Sequence, residues 1–157
     1  MASDGDIPGV IAPPPLLFLG TLAVGLALDF GLLRVPTGLP GALRFGAAAA
    51  LAAAAVGLAA AALGRFRRAG TAVEPWRPST ALVTDGVYRF TRNPIYLAMA
   101  LLYLGLSLAA DSALALVLLP PLLASAQVGV VSREERYLER RFGDDYRRYC
   151  SSVRRWL

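Results

Sequence analysis

The chain has 157 residues, of which 56% are hydrophobic, with a positive mean hydropathy and a formal net charge of +5. That balance excludes an ordinary soluble domain and points to one membrane-embedded domain over 1–157. All 16 basic residues are arginine and histidine is absent, which removes the usual general base, the commonest zinc ligand and the usual pH switch together.

The N-terminal segment, 1–15, carries Asp4 and Asp6 and no arginine ahead of the first apolar run. A cleaved signal peptide needs the opposite charge, so none is expected. Four apolar runs follow, at 16–33, 42–63, 95–110 and 113–131. A bilayer crossing takes about 20 residues, so the second and fourth are comfortable and the third is marginal. The first two spans (16–63) are joined by a Pro/Gly-rich turn from Arg34 to Gly41. Alanine dominates the second run, a composition that lets helices approach closely in lipid. Asp29, near the end of the first run, is an intramembrane acid, expected to be solvated or capping at that depth. Only Asp111-Ser112 separates the last two runs, so 95–131 reads as a helical hairpin, with Pro120-Pro121 predicting a kink.

Arginines set the topology. The loop 64–94 holds six of them and the tail 132–157 holds eight, against Arg34 and Arg44 on the other side. The positive-inside rule therefore puts both termini and the loop in the cytoplasm. The predicted fold is all-α, a polytopic membrane protein of about four transmembrane helices with a C-terminal cytoplasmic amphipathic helix.

The stretch from Asp85 to Leu104 organises the rest. A polar turn at Asp85-Gly86 passes through Tyr88, Arg89 and Arg92 into an apolar helix at Asn93-Pro94. Asn is a favoured N-cap and Pro a favoured first helical residue. An open helix N-terminus there suits an anionic group such as a carboxylate. In the tail, Ser132 with Glu135 fits a capping box, Gly143 a helix stop and Asp144 a second N-cap. At about 100° per residue, Val131, Leu138 and Phe142 share a face. Glu134 and Glu135 flank that face, while Arg133, Arg136 and Arg140 point away. Two roles suit the glutamates: capping with salt bridges to loop arginines, or binding a polar or cationic ligand group. Cys150 is the sole cysteine, so it forms no intrachain disulfide or metal cluster and reads as a free thiol. The tail sets eight arginines against five acids, which allows attraction to anionic lipid and gives little support to nucleic-acid binding.

Taken in order, Gly86-Val-Tyr88-Arg89-Phe-Thr-Arg92-Asn93-Pro94-Ile-Tyr96, the hairpin, Glu134-Glu135 and Phe142-Gly143-x-x-Tyr146-x-x-Tyr149 resemble the membrane methyltransferases. These are the isoprenylcysteine carboxyl methyltransferase and phospholipid N-methyltransferase group, and the likeness runs from Thr71 to Trp156. It implies methyl transfer from S-adenosylmethionine to a lipid-like or membrane-soluble acceptor at the cytoplasmic face, without a metal. Carried over by position, the cofactor-binding set is Tyr88, Arg92, Asn93, Pro94, Tyr96, Glu134 and Glu135, with Arg92, Asn93 and Glu134 as the catalytic candidates. Asn93 stands where better-known members have histidine; it exchanges hydrogen bonds but takes on no charge. Two other readings are an NADPH-dependent membrane reductase, for which no Gly-x-Gly-x-x-Gly fingerprint is present, and a non-catalytic membrane scaffold, which Asn93 favours.

Overall fold

The computed structural model describes residues 8–74 and 77–156. Asp4 and Asp6, on which the signal-peptide reading rests, lie outside the described residues, as do Pro75 and Trp76. Among the described residues the fold is all-helical, as the apolar periodicity predicts. Six α-helices run in order: α1 (Pro14–Leu28), α2 (Gly41–Ala69), α3 (Pro94–Ala109), α4 (Ala113–Ala126), α5 (Ser132–Phe142) and α6 (Asp144–Ser152). Wide π-turns extend α1 at Asp29–Leu33 and join α4 to α5 at Gln127–Val131. A 3-10 turn occupies Gly86–Arg89.

Among the described residues, three helical runs are long and apolar enough to cross a membrane: Pro14–Leu33, Gly41–Ala69 and Ala113–Phe142. The apolar helix Pro94–Ala109 is shorter, with 16 residues, or about 24 Å at 1.5 Å per residue. This is the run marked as marginal in the sequence. The protein is an integral membrane protein.

The chain forms two compact units. The first comprises Pro14–Gly57 and Tyr96–Ala126. Its helices meet through small residues, because lipid offers no hydrophobic drive to pair them and close van der Waals contact must do so. A Cβ at Gly25 on α1 would lie 3.0 Å from Leu118 Cδ1 and 3.1 Å from Ala115 Cα on α4. One at Gly105 on α3 would lie 3.1 Å from the Ala48 carbonyl of α2. Tyr103 donates its hydroxyl to the Ala115 carbonyl at 2.9 Å, tying α3 to α4. Ser112 caps α4, accepting the Ala115 N–H at 3.1 Å, and Asp111 takes a φ of 55° to make the hairpin turn. Its carboxylate accepts the Thr37 N–H and hydroxyl at 2.9 and 2.6 Å. Asp29 proves fully buried rather than solvated. Its carboxylate accepts the Val35 N–H, so the capping half of its expected role stands.

Two tail expectations are corrected. Helical backbone continues without interruption from α4 through the π-turn into α5, so no free N-terminus exists at Ser132 for a capping box to close. The Ser132 hydroxyl instead donates to the Gln127 carbonyl at 2.8 Å. Gly143 does end α5, with φ 55° and its N–H on the Glu139 carbonyl, but Gly143 is also the N-cap of α6. Asp144 is thus the first residue of α6 and pairs with Arg147 at 2.6 Å.

The second unit comprises Leu58–Ile95 and Gln127–Leu157, with the residues before Pro14. Its core gathers Ala62 from α2, Val83 and Tyr88 from the loop, and Tyr146 and Tyr149 from α6. The Phe66 and Tyr88 rings meet edge-on with centroids 5.6 Å apart, an arrangement favoured by the ring quadrupoles.

Candidate functional site

Within the second unit the chain from the 3-10 turn to the start of α3 lies against α5, α6 and the C-terminal segment. Tyr88 is buried in the turn, and its carbonyl accepts the Tyr149 hydroxyl at 2.7 Å. Four residues on, Arg92 is largely buried. Its Nη1 lies 3.2 Å from Glu135 Oε1 and donates to Cys150 Sγ at 2.7 Å, while its Nε is buried with no hydrogen-bond partner. Asn93 is buried and Pro94 opens α3, as the Asn-Pro signal predicts.

The mouth of α3 is not open. After α6 the chain turns extended at Val153, and residues 153–156 form a strap over Arg92 and Asn93. The Arg154 carbonyl accepts the Arg92 N–H at 3.0 Å. The Arg155 carbonyl accepts Asn93 Nδ2 at 2.9 Å and the Thr91 hydroxyl at 3.3 Å. The Arg155 guanidinium grips Glu135 with two nitrogens, at 2.9 and 2.7 Å, and Trp156 Nε1 donates to Gln127 Oε1 at 3.0 Å.

Of the residues singled out in the sequence, Arg92, Asn93, Pro94, Tyr88, Glu134 and Glu135 fall in this unit. Tyr96 is buried on α3 in the other unit. Glu134 is partly and Glu135 largely buried, and Arg133, Arg136 and Arg140 are exposed, as the helical spacing predicts. Glu135 makes the salt bridge to a loop arginine that was one of its two expected roles. Glu134 is near enough to Tyr88 to act on its ionisation: burial first, then Tyr149, then the Glu134 charge push the Tyr88 phenol well above its ordinary range. Burial likewise raises Tyr146, reinforced by its hydrogen bond with Cys150 and the Glu135 charge. The hydrogen bonds that Arg155 donates to the Glu135 carboxylate hold its guanidinium more firmly protonated than usual.

Four members of the cluster were not among the expected site residues: Tyr146, Tyr149, Cys150 and Arg155. The Tyr-x-x-Tyr spacing of α6 was a signal for the first two. Nothing local marks Arg155, since its partners stand 20 and 62 residues away.

The donor set fits a cofactor bearing both charges. A guanidinium with one unpartnered N–H suits a carboxylate, and two carboxylates suit an ammonium or ribose hydroxyls. Among the described residues no group of three or more acidic, Cys or His side chains could hold a metal ion.

The family model described as phospholipid methyltransferase matches residues 43–145. That match takes in Tyr88, Arg92, Asn93, Pro94 and both glutamates and stops short of Tyr146, Tyr149 and the strap. An uncharacterized protein of Haemophilus influenzae is 67% identical over 27 residues, 17% of this chain and 43% of that protein, so the similarity spans less than half of the relative. No solved structure matches. With more than half of its length matched, the chain belongs to the phospholipid methyltransferase family.

Proposed function

We propose that this member of a membrane methyltransferase family moves a methyl group from S-adenosylmethionine to a lipid-like or membrane-soluble acceptor at the cytoplasmic face. The observation that carries the reading is the Arg92–Glu135 pair, 3.2 Å apart beside Asn93, with Arg92 Nε buried and unpartnered. When bound, the cofactor supplies a methyl already activated on a sulfonium. The chain's own part is to hold and orient: Arg92 takes a carboxylate, Glu134 and Glu135 take the ammonium or the ribose hydroxyls, and the neutral phenols of Tyr88, Tyr146 and Tyr149 form an apolar, water-poor wall. Alignment and exclusion of water account for much of the acceleration of an in-line displacement, so a chain without histidine is not handicapped. Membership of the family and the apolar character of the helices support an acceptor of the lipid class. The arginine asymmetry of the sequence supports a cytoplasmic position for both termini.

A non-catalytic scaffold is the second reading. It is favoured by Asn93, whose side-chain amide is spent on the Arg155 carbonyl. Calorimetric titration of S-adenosylmethionine into the detergent-solubilised protein separates the two, with NADPH as the reductase control. Binding that Arg92→Ala and Glu134→Ala both weaken supports the methyltransferase. No heat at millimolar cofactor from a folded protein would overturn it.

A further inference from the structure

A groove of about 600 Å³ lies in the second unit, away from the Arg92–Glu135 cluster. One wall is the last part of α2, with Ala60, Ala61, Gly64, Arg65 and Arg68; the other is the 3-10 turn, with Gly86, Arg89 and Phe90. It is a built feature. Arg65 pairs with Asp85 across the groove at 2.7 Å. A Cβ on Gly86 would collide with the Arg65 guanidinium, and the φ of Gly86 is +59°, a backbone conformation that glycine adopts freely. Tyr88, buried against Phe66 and bonded by Tyr149, fixes the turn from below.

The lining combines two chemistries. Arg65, Arg68 and Arg89 set three positive charges against the single Asp85, leaving an excess of two. Arg68 and Arg89 are exposed. Between them lie small apolar residues of a membrane-spanning helix, and Phe90 stands 77% exposed at the rim. A soluble anion would use the arginines and leave Phe90 and the alanine floor in contact with water. A phospholipid uses both, its phosphate on the guanidiniums and its glycerol and upper acyl carbons on the floor and Phe90.

We propose that this groove is a binding site for an anionic phospholipid that is retained rather than methylated, with Arg68 and Arg89 holding its phosphate and Phe90 its acyl region. The site does not rest on methyl transfer; it stands even for a chain that binds no cofactor. Because one wall is the 3-10 turn itself, occupancy also ties the turn that leads to Arg92 to the end of α2.

The test uses the full chain in neutral detergent with phosphatidylglycerol, phosphatidylcholine or inorganic phosphate as the probe. Retained lipid is counted by native mass spectrometry and stabilisation is read by thermal melting. Phosphatidylglycerol is expected to be retained one per chain and to raise the melting temperature, and phosphatidylcholine is not. Replacing both Arg68 and Arg89 by Gln is expected to weaken retention about twentyfold, as two headgroup-facing arginines would. Replacing the exposed tail residues Arg136 and Arg140 by Gln removes the same charge and should leave retention unchanged. Phe90→Ala, at an exposed position, should weaken lipid retention several-fold without unfolding. Equal losses from the two arginine pairs would show diffuse attraction and overturn the proposal. So would protection by inorganic phosphate equal to that by the lipid, or no effect of Phe90→Ala.

Discussion

Arg155 Nε and Nη2 hold the two oxygens of Glu135 at 2.9 and 2.7 Å, so one carboxylate serves an arginine of the loop and an arginine of the strap. The strap arginine is therefore an internal cation on one of the two glutamates proposed to meet the cofactor's ammonium or ribose. Arg155 is half exposed and Glu135 largely buried, so the pair is solvent-screened on one side and contributes about 0.5–1 kcal/mol. Replacing Arg155 by Ala should loosen the strap by that amount and leave the fold intact. Cys150, the sole cysteine and half-buried behind Arg92, is the reporter. Its maleimide labelling rate should rise about twofold to fivefold, the factor that such an energy sets on an opening equilibrium. An unchanged rate would mean that the backbone bonds of Arg154 and Arg155 alone hold the strap.

Glu135→Gln should cost more than Arg92→Ala. Removing the carboxylate leaves two guanidiniums facing each other, one of them largely buried. Removing Arg92 leaves Glu135 still gripped by Arg155. Breaking a buried pair from one side is the costly direction, and with solvent reaching Arg155 we expect about 2 kcal/mol for Glu135→Gln and about 1 kcal/mol for Arg92→Ala. Urea unfolding in mild detergent, monitored by circular dichroism, gives the order. The reverse order would show that the Arg92–Cys150 contact matters more than the carboxylate.

Much of this neighbourhood was legible from the sequence, for local reasons. The Asn93-Pro94 start, the Gly143 stop and the opposite faces of Glu134/Glu135 and Arg133/Arg136/Arg140 depend on backbone rules that act over a few residues. The capping box at Ser132 was misread because the same Ser-x-x-Glu pattern caps only a helix that begins there, and α4 supplies the preceding turn. The open mouth of α3 was misread for a different reason. What closes it is main-chain carbonyl bonding from Arg154 and Arg155, which carries no side-chain signature and joins points some sixty residues apart.

Tyr88, Tyr146 and Tyr149 define an alkaline limit. Burial is the leading cause in all three and raises each phenol above its ordinary value of 10.0. The folded protein therefore holds these protons after the unfolded chain has released them. Their contribution is fully present below about pH 10 and is lost as pH rises above it, by up to about 1.4 kcal/mol per pH unit for each phenol. The melting temperature should be insensitive to these three groups between pH 7 and 9 and should fall steeply above pH 10. Absorbance at the phenolate band should show them ionising only with unfolding. Reversible ionisation near pH 10 in the folded protein would place water in the wall they form.

Gly143 separates α5 from α6 at φ 55° and ψ −123°, a region that side chains beyond glycine scarcely enter. No atom lies within 4 Å of where its Cβ would stand, so a substitution meets no steric neighbour and its whole cost is backbone strain. Gly143→Ala should therefore destabilise the tail by about 1–3 kcal/mol. Because α6 delivers Tyr146, Tyr149 and the strap to the Arg92 cluster, the loss should appear locally. Hydrogen exchange should quicken in α6 and Cys150 labelling should accelerate, while the amides of α1 and α4 keep their protection. A uniform loss of protection across all helices would instead mean that the tail and the membrane helices unfold as one cooperative unit.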